Sequence, residues 1–296
     1  MQKLVISGAT SMIGSSVVKC ALERNLEALC IVRKDSANLT NLPKSEQIKI
    51  HYADLPEYSH LDISGNYDVF YHFAWDKTFI HSRDNVDSQL ANIRYTLDAV
   101  RLAKRLGCKK FIGAGSQAEY GIANEPLKPY TPANPQSGYG IAKHAAGKMC
   151  GLLSSQLGMQ FNWTRILSIY GKHDNPDSLI MYIIKELKEN RTPELTKCEQ
   201  IWDYLHCDDA ARALLAVGKD GVNNKTYPLG SGSYKKLYDY INIVKNIVNP
   251  NAGLKFGHKE YYPHQPMFLA ADISELSADT GWKPRISFED GIRDLI

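Results

Sequence analysis

Short apolar runs alternate with amphipathic stretches over the first 170 residues of this chain of 296. The runs are rich in β-branched and aromatic side chains and are bounded by Gly, Asp or Ser, a pattern typical of strands buried on both faces. They lie at 3–7, 28–32, 48–52, 68–73, 109–115 and 161–167. Residues 12–25 and 89–107 carry apolar side chains at helical spacing. Because parallel strands need crossover connections, this alternation predicts an α/β fold with a doubly wound parallel sheet.

Two segments depart from the alternation. Four prolines between residues 125 and 136 exclude a helix or an interior strand, so we expect a stiff loop that borders a pocket. Beyond Gly171 the alternation weakens, and only 179–190 and 238–248 have clear helical spacing. We therefore predict a main domain over residues 1–170, to which 203–230 returns, and a smaller C-terminal region within 171–296.

Composition narrows the class of protein. With 44% hydrophobic residues, 23% charged residues and a net charge of +3, the chain is an ordinary globular protein, and no basic run indicates a nucleic-acid partner. The six cysteines form no Cys-x-x-Cys pair and no zinc-finger spacing, so we expect no metal and a reducing compartment. No signal peptide and no run of ~18 apolar residues is present, which predicts a cytoplasmic protein without a membrane partner.

A glycine-bearing turn joins the first predicted strand to the first predicted helix. Gly8 and Gly14 stand six apart in "VISGATSMIGSSVV", with Ser11 where a middle glycine is common. Glycine allows the backbone to approach a pyrophosphate, and a helix N-terminus offers N–H groups to its oxygens. We expect a dinucleotide to contact the turn residues Gly8, Thr10, Ser11, Met12, Ile13 and Gly14.

The end of the second strand bears on which dinucleotide binds. An acidic residue that would pair with a ribose diol is absent, and Arg33 and Lys34 stand there instead. Cations at this point can pair with a 2′-phosphate, which favours NADP over NAD. After the third strand, Asp54, followed by Leu55, is a candidate contact for an adenine amino group.

Tyr139 and Lys143 lie four apart in "SGYGIAKHAAG", a stretch with helical character. Residues at this spacing share one helix face, and a nearby cation lowers the pKa of a phenol from about 10. Reaching neutral pH requires ~4 kcal/mol, which exceeds what an exposed ion pair supplies. We therefore expect Lys143 to lower the pKa of Tyr139 with help from a second positive group, such as an oxidised nicotinamide ring.

Six ordered motifs resemble the extended short-chain dehydrogenase/reductase superfamily, within its NAD(P)-dependent sugar-nucleotide epimerase/dehydratase/reductase family. They are the glycine turn, "ADL" at 53–55, "FIGAGSQAEYG" at 111–121, the Tyr-x-x-x-Lys pair, "RILSIYG" at 165–171 and the C-terminal stretch from residue 271. The resemblance implies a Rossmann-type fold whose main domain binds the dinucleotide and whose C-terminal region binds substrate. It implies catalytic roles for Ser116, Tyr139 and Lys143. It implies further cofactor contacts at Phe73, Ala74, Trp75, Tyr139, Lys143 and Ile166, and substrate contacts at Ser116, Gln117, Ser168 and Trp202.

Departures from the family pattern affect how substrate is held. The family often has Arg where this chain has Trp202, and that Arg can hold a substrate diphosphate. Lys172, Arg191 and Lys197 are candidate replacements. Ser168 stands where Asn is frequent.

The motif after Ser116 separates the possible reactions. Dehydratases of this group typically carry Asp-Glu there, whereas this chain has Gln117 and Ala118, which argues against dehydration. The cations at the second strand favour NADPH-dependent reduction of a 4-keto-6-deoxy sugar nucleotide. The alternatives are an NAD-dependent sugar-nucleotide 4-epimerase and, more remotely, a non-catalytic dinucleotide-binding protein. The resemblance also implies a homodimer formed through helices at 83–106 and 137–157.

Overall fold

A parallel sheet forms the centre of the molecule in the computed structural model, which describes residues 1–78, 82–262 and 265–296. The described strands are β1 Lys3–Ser7, β2 Glu27–Val32, β3 Ile48–Tyr52, β4 Val69–His72, β5 Lys110–Ser116, β6 Gln160–Ile166, β7 Ser168–Tyr170, β8 Ile201–Trp202, β9 Tyr204–His206, β10 Lys225–Leu229, β11 Lys235–Lys236 and β12 Phe268–Leu269. The described helices are α1 Met12–Leu22, α2 Val86–Arg105, α3 Gly138–Gln156, α4 Leu179–Lys188, α5 Cys207–Asp220, α6 Leu237–Val248, α7 Ser274–Thr280 and α8 Phe288–Arg293.

The main sheet has seven strands in the order β3-β2-β1-β4-β5-β6-β10, and every neighbouring pair is parallel. The six strands predicted from the sequence are all present, so the predicted doubly wound α/β fold is confirmed. Strand order reverses between β1 and β4, and in such sheets ligands bind at the carboxyl ends of the strands beside this switch point. The carboxyl ends of β1, β4, β5 and β6 are therefore where a site is expected.

Alternating side chains of the strands bury both faces of the sheet. Leu4 and Ile6 of β1 pack with α1 and α5 on one face, whereas Val5 faces the layer formed by α2 and α3. On that second face Phe111 stacks between Phe70 and Phe161, with ring centroids 5.5 and 6.4 Å away. Complete burial of a large apolar side chain stabilises the fold by about 1.5–3 kcal/mol, so these two layers hold the strand ends rigidly in place.

The C-terminal region builds a second layer on the carboxyl edge of the main sheet. Its core is formed by α4, α6 and α8 around Tyr170, Ile184 and Ile241. Two small sheets, β11-β8-β12 and β7-β9, carry Trp202 and Tyr204. Over the ranges the structure describes, no helix combines the length and apolar character needed to cross a membrane.

A buried carboxylate joins this layer to the end of β10. Asp203 is fully buried between β8 and β9. Its Oδ1 accepts hydrogen bonds from the Ser231 N–H at 2.8 Å and the Ser231 hydroxyl at 2.6 Å. Its Oδ2 accepts from the N–H groups of Gly232 and Ala271, both at 3.1 Å. One side chain thus joins two loops through one buried and three partly buried donors.

Replacing Asp203 by Ala is expected to lower the free energy of unfolding by about 3 kcal/mol, because one buried and three partly buried donors lose their charged acceptor. Urea unfolding followed by circular dichroism measures the change. Asp62→Ala, at an exposed position, is the matched control and is expected to alter stability by less than about 0.5 kcal/mol. A loss below about 1 kcal/mol for Asp203→Ala would show that the loops hold their positions without it.

Candidate active site

Two glycines shape the turn between β1 and α1. Gly8 has φ +71°, a left-handed conformation, and a Cβ there would lie 2.7 Å from the Ala74 nitrogen. A Cβ at Gly14 would lie 2.3 Å from the Gly8 carbonyl oxygen. Any larger residue at either position would push α1 away from the ends of β1 and β4. The glycines therefore keep the start of α1 close to the switch point.

Ser11, which stands where a third glycine is common, is the N-cap of α1. Its hydroxyl accepts from the Gly14 N–H at 3.1 Å and donates to the Gly8 carbonyl at 2.8 Å. The N–H groups of Met12 and Ile13 lie in the first turn, where a helix offers no internal partner. These donors and the positive end of the helix dipole fit the phosphates of a dinucleotide.

The two cations after β2 have different surroundings. Lys34 forms an ion pair with Glu57 at 2.7 Å, and the Glu57 carboxylate also accepts from the Asp54 N–H at 2.7 Å. Asp54 itself begins the short turn Leu55–Ser59 as its N-cap. Arg33 is exposed. The case for a 2′-phosphate contact therefore depends on Arg33 more than on Lys34.

Tyr139 lies in the first turn of α3, directly beside the end of β5 that carries Ser116. The Ser137 hydroxyl caps α3 by accepting from the Gly140 N–H at 3.1 Å. A Cβ at Gly140 would lie 2.4 Å from the Ala118 carbonyl oxygen, so glycine permits this close approach. The Ser116 hydroxyl thereby lies near enough to the Tyr139 phenol to act against the burial-driven rise in the pKa of Tyr139.

Lys143 is buried beneath this pair. Its Nζ donates to the Ala114 carbonyl at 2.7 Å and stands 3.7 Å from the Trp75 ring centroid. The same Nζ is 5.8 Å from the Tyr139 ring centroid, and Trp75 meets the Tyr139 ring edge-on at 6.0 Å. Burial lowers the pKa of Lys143 to about 7. Trp75, which follows β4, is in turn fixed by a 3.0 Å bond from its indole N–H to Gln89.

The electrostatics of Tyr139 differ from the expectation drawn from its spacing to Lys143. Burial raises the pKa of Tyr139, and the hydrogen bond with Ser116 and the charge of Arg83 act against that rise. The guanidinium carbon of Arg83 is 5.1 Å from the Tyr139 ring centroid. In this geometry Arg83 is the charge that lowers the pKa of Tyr139, and the effect of Lys143, which we predicted together with an oxidised nicotinamide ring, stays a prediction for the protein with its cofactor bound. The amine of Lys143 is directed at the Ala114 carbonyl.

A buried carboxylate that the sequence analysis did not single out supports the same strand end. Glu119 Oε1 accepts from the Ser116 N–H at 2.9 Å and from the Trp163 indole N–H at 2.8 Å. Its Oε2 accepts from Arg165 at 2.8 Å, and His144 lies 3.6 Å away. Burial raises the pKa of Glu119, but these partners outweigh it and hold that pKa below its ordinary value. The spacing Ser-x-x-Glu is a capping-box signature, and it was the available signal.

A cavity of about 470 Å³ opens in the C-terminal layer. Trp202 and Tyr204 line it, together with Tyr182, Lys259 and Tyr262. Its size falls within the roughly 300–1,000 Å³ typical of small-molecule sites. Ser168 pairs with Tyr204 in the β7-β9 sheet, so two of the predicted substrate residues, Ser168 and Trp202, belong to or adjoin this cavity.

The structure thus brings most of the predicted residues to one edge of the sheet. Ser116 is paired with Ile166 across β5 and β6, and Gln117 begins the short turn that follows. Phe73 and Ala74 follow β4 beside Gly8. Thr10 leans away towards β2, where its hydroxyl lies 3.1 Å from that of Ser36. Arg83 and Lys259 were missed because they are isolated charges in loops, which no sequence pattern distinguishes from solvated ones.

A Rossmann-type sheet with a Tyr-x-x-x-Lys helix beside its switch point defines the class of this protein. A family model described as "NAD dependent epimerase/dehydratase family" matches residues 4–230. The chain belongs to this NAD-dependent epimerase/dehydratase family.

Curated relatives and solved structures agree with this assignment. The chain is 24% identical to a dTDP-glucose 4,6-dehydratase of Escherichia coli, over 99% of this chain and 92% of the relative. It is 23% identical to a putative UDP-glucose 4-epimerase of Methanocaldococcus jannaschii, over 99% and 97%. The solved UDP-N-acetylglucosamine 4-epimerase of Methanobrevibacter ruminantium superposes with a TM-score of 0.89 at 20% identity, over 99% and 98%. A solved UDP-glucuronic acid 4-epimerase of Bacillus cereus, in complex with UDP-glucuronic acid and NAD, superposes with a TM-score of 0.86 at 22% identity. The match covers 99% of this chain and 97% of the solved one.

Proposed function

We propose that this protein is an NAD-dependent 4-epimerase of nucleotide sugars that uses Ser116, Tyr139 and Lys143. The observation that carries the proposal is the nearness of the Ser116 hydroxyl and the Tyr139 phenol at the carboxyl edge of the sheet, with the amine of Lys143 buried beneath them. The free N–H groups in the first turn of α1, directly after the glycine turn, fit the phosphates of a dinucleotide. On this proposal residues 1–170 with 203–230 hold the cofactor, and the rest of 171–296 holds the substrate.

Each residue of the trio has a distinct task. Tyr139 takes the proton from the sugar hydroxyl and returns it, while Ser116 donates a hydrogen bond to the same oxygen and holds it in line. Lys143 binds ribose hydroxyls of the cofactor and, when charged, favours the phenolate of Tyr139. The bound dinucleotide supplies a hydride acceptor and donor through its nicotinamide ring. Trp75 closes one side of the site and shields it from water.

Three observations support epimerisation over the other reactions of the family. Gln117 and Ala118 replace the acidic pair typical of dehydratases. Lys34 is occupied by Glu57, which weakens the case for NADPH. Several similar structures are named as 4-epimerases, and one holds NAD. The exposed Arg33 favours the second candidate, an NADPH-dependent reductase of a 4-keto-6-deoxy sugar nucleotide.

Incubation of the purified protein with UDP-hexoses and dTDP-hexoses tests the proposal. Interconversion of C4 epimers, followed by NMR, without net oxidation of added NADPH is the expected result. Stoichiometric oxidation of NADPH with a 4-keto sugar nucleotide would establish the reductase instead. If neither reaction occurs while NAD or NADP binds, the enzymatic proposal fails and the protein is a non-catalytic dinucleotide-binding protein.

Two helices of the main domain expose apolar side chains that fit a homodimer interface. Val86 and Leu90 lie on one face of α2, and Ile141, Met149 and Leu152 lie on one face of α3. The two helices pack against each other, and we propose that these exposed residues together form the surface through which two copies associate.

The double variant Leu90→Glu/Leu152→Glu is expected to be monomeric, because a charged side chain at each position would be desolvated in the interface. Light scattering coupled to gel filtration measures the mass. Val222→Glu, an exposed apolar position away from these helices, serves as the control and is expected to remain dimeric. A dimeric double variant would place the interface elsewhere, and a monomeric parent protein would contradict the dimer altogether.

A further inference from the structure

The substrate cavity lacks the arginine that family members often use to hold a diphosphate. Trp202 occupies that position and lines the cavity. An indole offers one N–H donor and no charge, whereas a diphosphate carries negative charge that needs cationic partners when it leaves water. Some other cation must therefore meet the anionic part of a nucleotide-sugar substrate.

The three replacements suggested by the sequence do not face this cavity. Lys172 is paired with Asp294 at 3.0 Å and lines a separate cavity beside α1. Arg191 pairs with Glu186 and Glu189 at the end of α4. Lys197 is exposed and is absent from the described lining. None of the three, as placed in the described structure, supplies charge to the cavity.

Lys259 is the one cation among the described residues that line the cavity. Its Nζ stands 4.8 Å from the Tyr182 ring centroid, and no carboxylate of the described chain forms an ion pair with it within 4.0 Å. The lining also contains Asp177 and Glu194, and the charge of Glu194 is offset by Lys255 at 3.4 Å. Among the described lining residues, Lys259 is therefore the cation that can meet an anionic ligand in this cavity.

Arg83 provides a second such charge at the catalytic end. Its guanidinium carbon is 5.1 Å from the Tyr139 ring centroid, and its Nε donates to the Thr78 carbonyl at 3.0 Å. Its charge also opposes the burial-driven rise in the pKa of Tyr262, a residue of the cavity lining, so the charge of Arg83 acts on the catalytic tyrosine and on one residue of the cavity. Within the described ranges no ion pair engages Arg83, which leaves its terminal nitrogens for an anion.

We propose that Lys259 and Arg83 together hold the substrate diphosphate in this protein, Lys259 from the nucleoside side and Arg83 from the sugar side. The inference rests on the proposed function for the identity of the ligand class. It assigns substrate recognition to two loop cations in place of one strand-borne arginine. Because the phosphate groups join base to sugar, this placement also brings the sugar towards Tyr139.

Calorimetric binding without turnover tests the inference. UDP and dTDP are titrated into the NAD-loaded protein, and uridine and thymidine report the binding of the nucleoside alone. Lys259→Met and Arg83→Met are each expected to lower the affinity for UDP and dTDP about tenfold. The affinity for uridine and thymidine is expected to stay unchanged. Lys259→Arg and Arg83→Lys are expected to retain most of the affinity. Lys197→Met is the matched control, and circular dichroism confirms that each variant is folded.

The outcomes separate the inference from the proposed function. Diphosphate affinities unchanged in both Met variants would overturn the inference, even for a protein that epimerises sugars. A parent protein that binds neither UDP nor dTDP would overturn it as well. If the Met variants lose diphosphate binding as expected but the parent protein exchanges no hydride with any sugar nucleotide, the inference stands and the 4-epimerase proposal fails.

Discussion

Tyr139→Phe is expected to lower kcat by ~10²–10⁴ while leaving nucleotide-sugar affinity within about twofold. The phenolic oxygen is the proton acceptor of the proposed reaction, and phenylalanine removes only that atom. The ring contacts with Trp75 and Arg83 remain, so the cofactor site keeps its shape. Single-turnover formation of reduced nicotinamide on mixing with substrate measures the step directly.

The matched control is Tyr130→Phe, an exposed tyrosine in the proline-rich loop, for which full turnover is expected. The kcat of Ser116→Ala is expected to lie between those of Tyr139→Phe and Tyr130→Phe. In this variant the sugar oxygen keeps its base but loses the hydrogen bond from the serine. A Tyr139→Phe enzyme with unchanged kcat would exclude Tyr139 as the acid/base and would direct attention to another proton carrier.

Lys143→Met is expected to abolish turnover and to stabilise the cofactor-free protein by about 2 kcal/mol at pH 7. Burial lowers the pKa of Lys143 to about 7, so the folded state holds a charge it disfavours at neutral pH and below. The gain is smaller than the full shift implies, since the variant also loses the hydrogen bond to Ala114 and the contact with Trp75.

The pH dependence identifies the cause of that stabilisation. Between pH 7 and about 10 the unfolded chain keeps the Lys143 proton and the folded protein does not, so the stability of the parent protein rises with pH across this window. The difference between variant and parent is therefore largest at pH 7 or below and disappears towards pH 10. Thermal melts across this range measure it. A constant difference, or a variant less stable at pH 7, would contradict a buried charge.

The strand pattern predicted the core of the fold because buried parallel strands depend on local composition. All six predicted runs became β1 to β6, and no end is shifted by more than one residue. The two-residue strands β8, β11 and β12 could not be predicted, because such short segments become strands only through their neighbours in space. The helix α5 was not predicted as a helix, since the alternation had already weakened there.

Site residues divide in the same way. Ser116, Tyr139 and Lys143 stood out because their spacing is encoded in one helix and one strand end, and the structure places them together. Their electrostatics could not be predicted, because burial of Lys143 and the approach of Arg83 arise from segments far apart in the sequence. Trp202 stands at a position where the family often has a positively charged arginine. The sequence, however, did not indicate that Lys259 lines the same cavity.

The close approach of Gly140 to Ala118 means that the position of the phenol relative to the serine depends on the absence of a single methyl group. A side chain there would lift the start of α3 and widen that gap while every reacting group remained in place. The protein is therefore expected to tolerate mutation poorly at a residue with no chemistry of its own, and surveys that look only for polar active-site residues would overlook it.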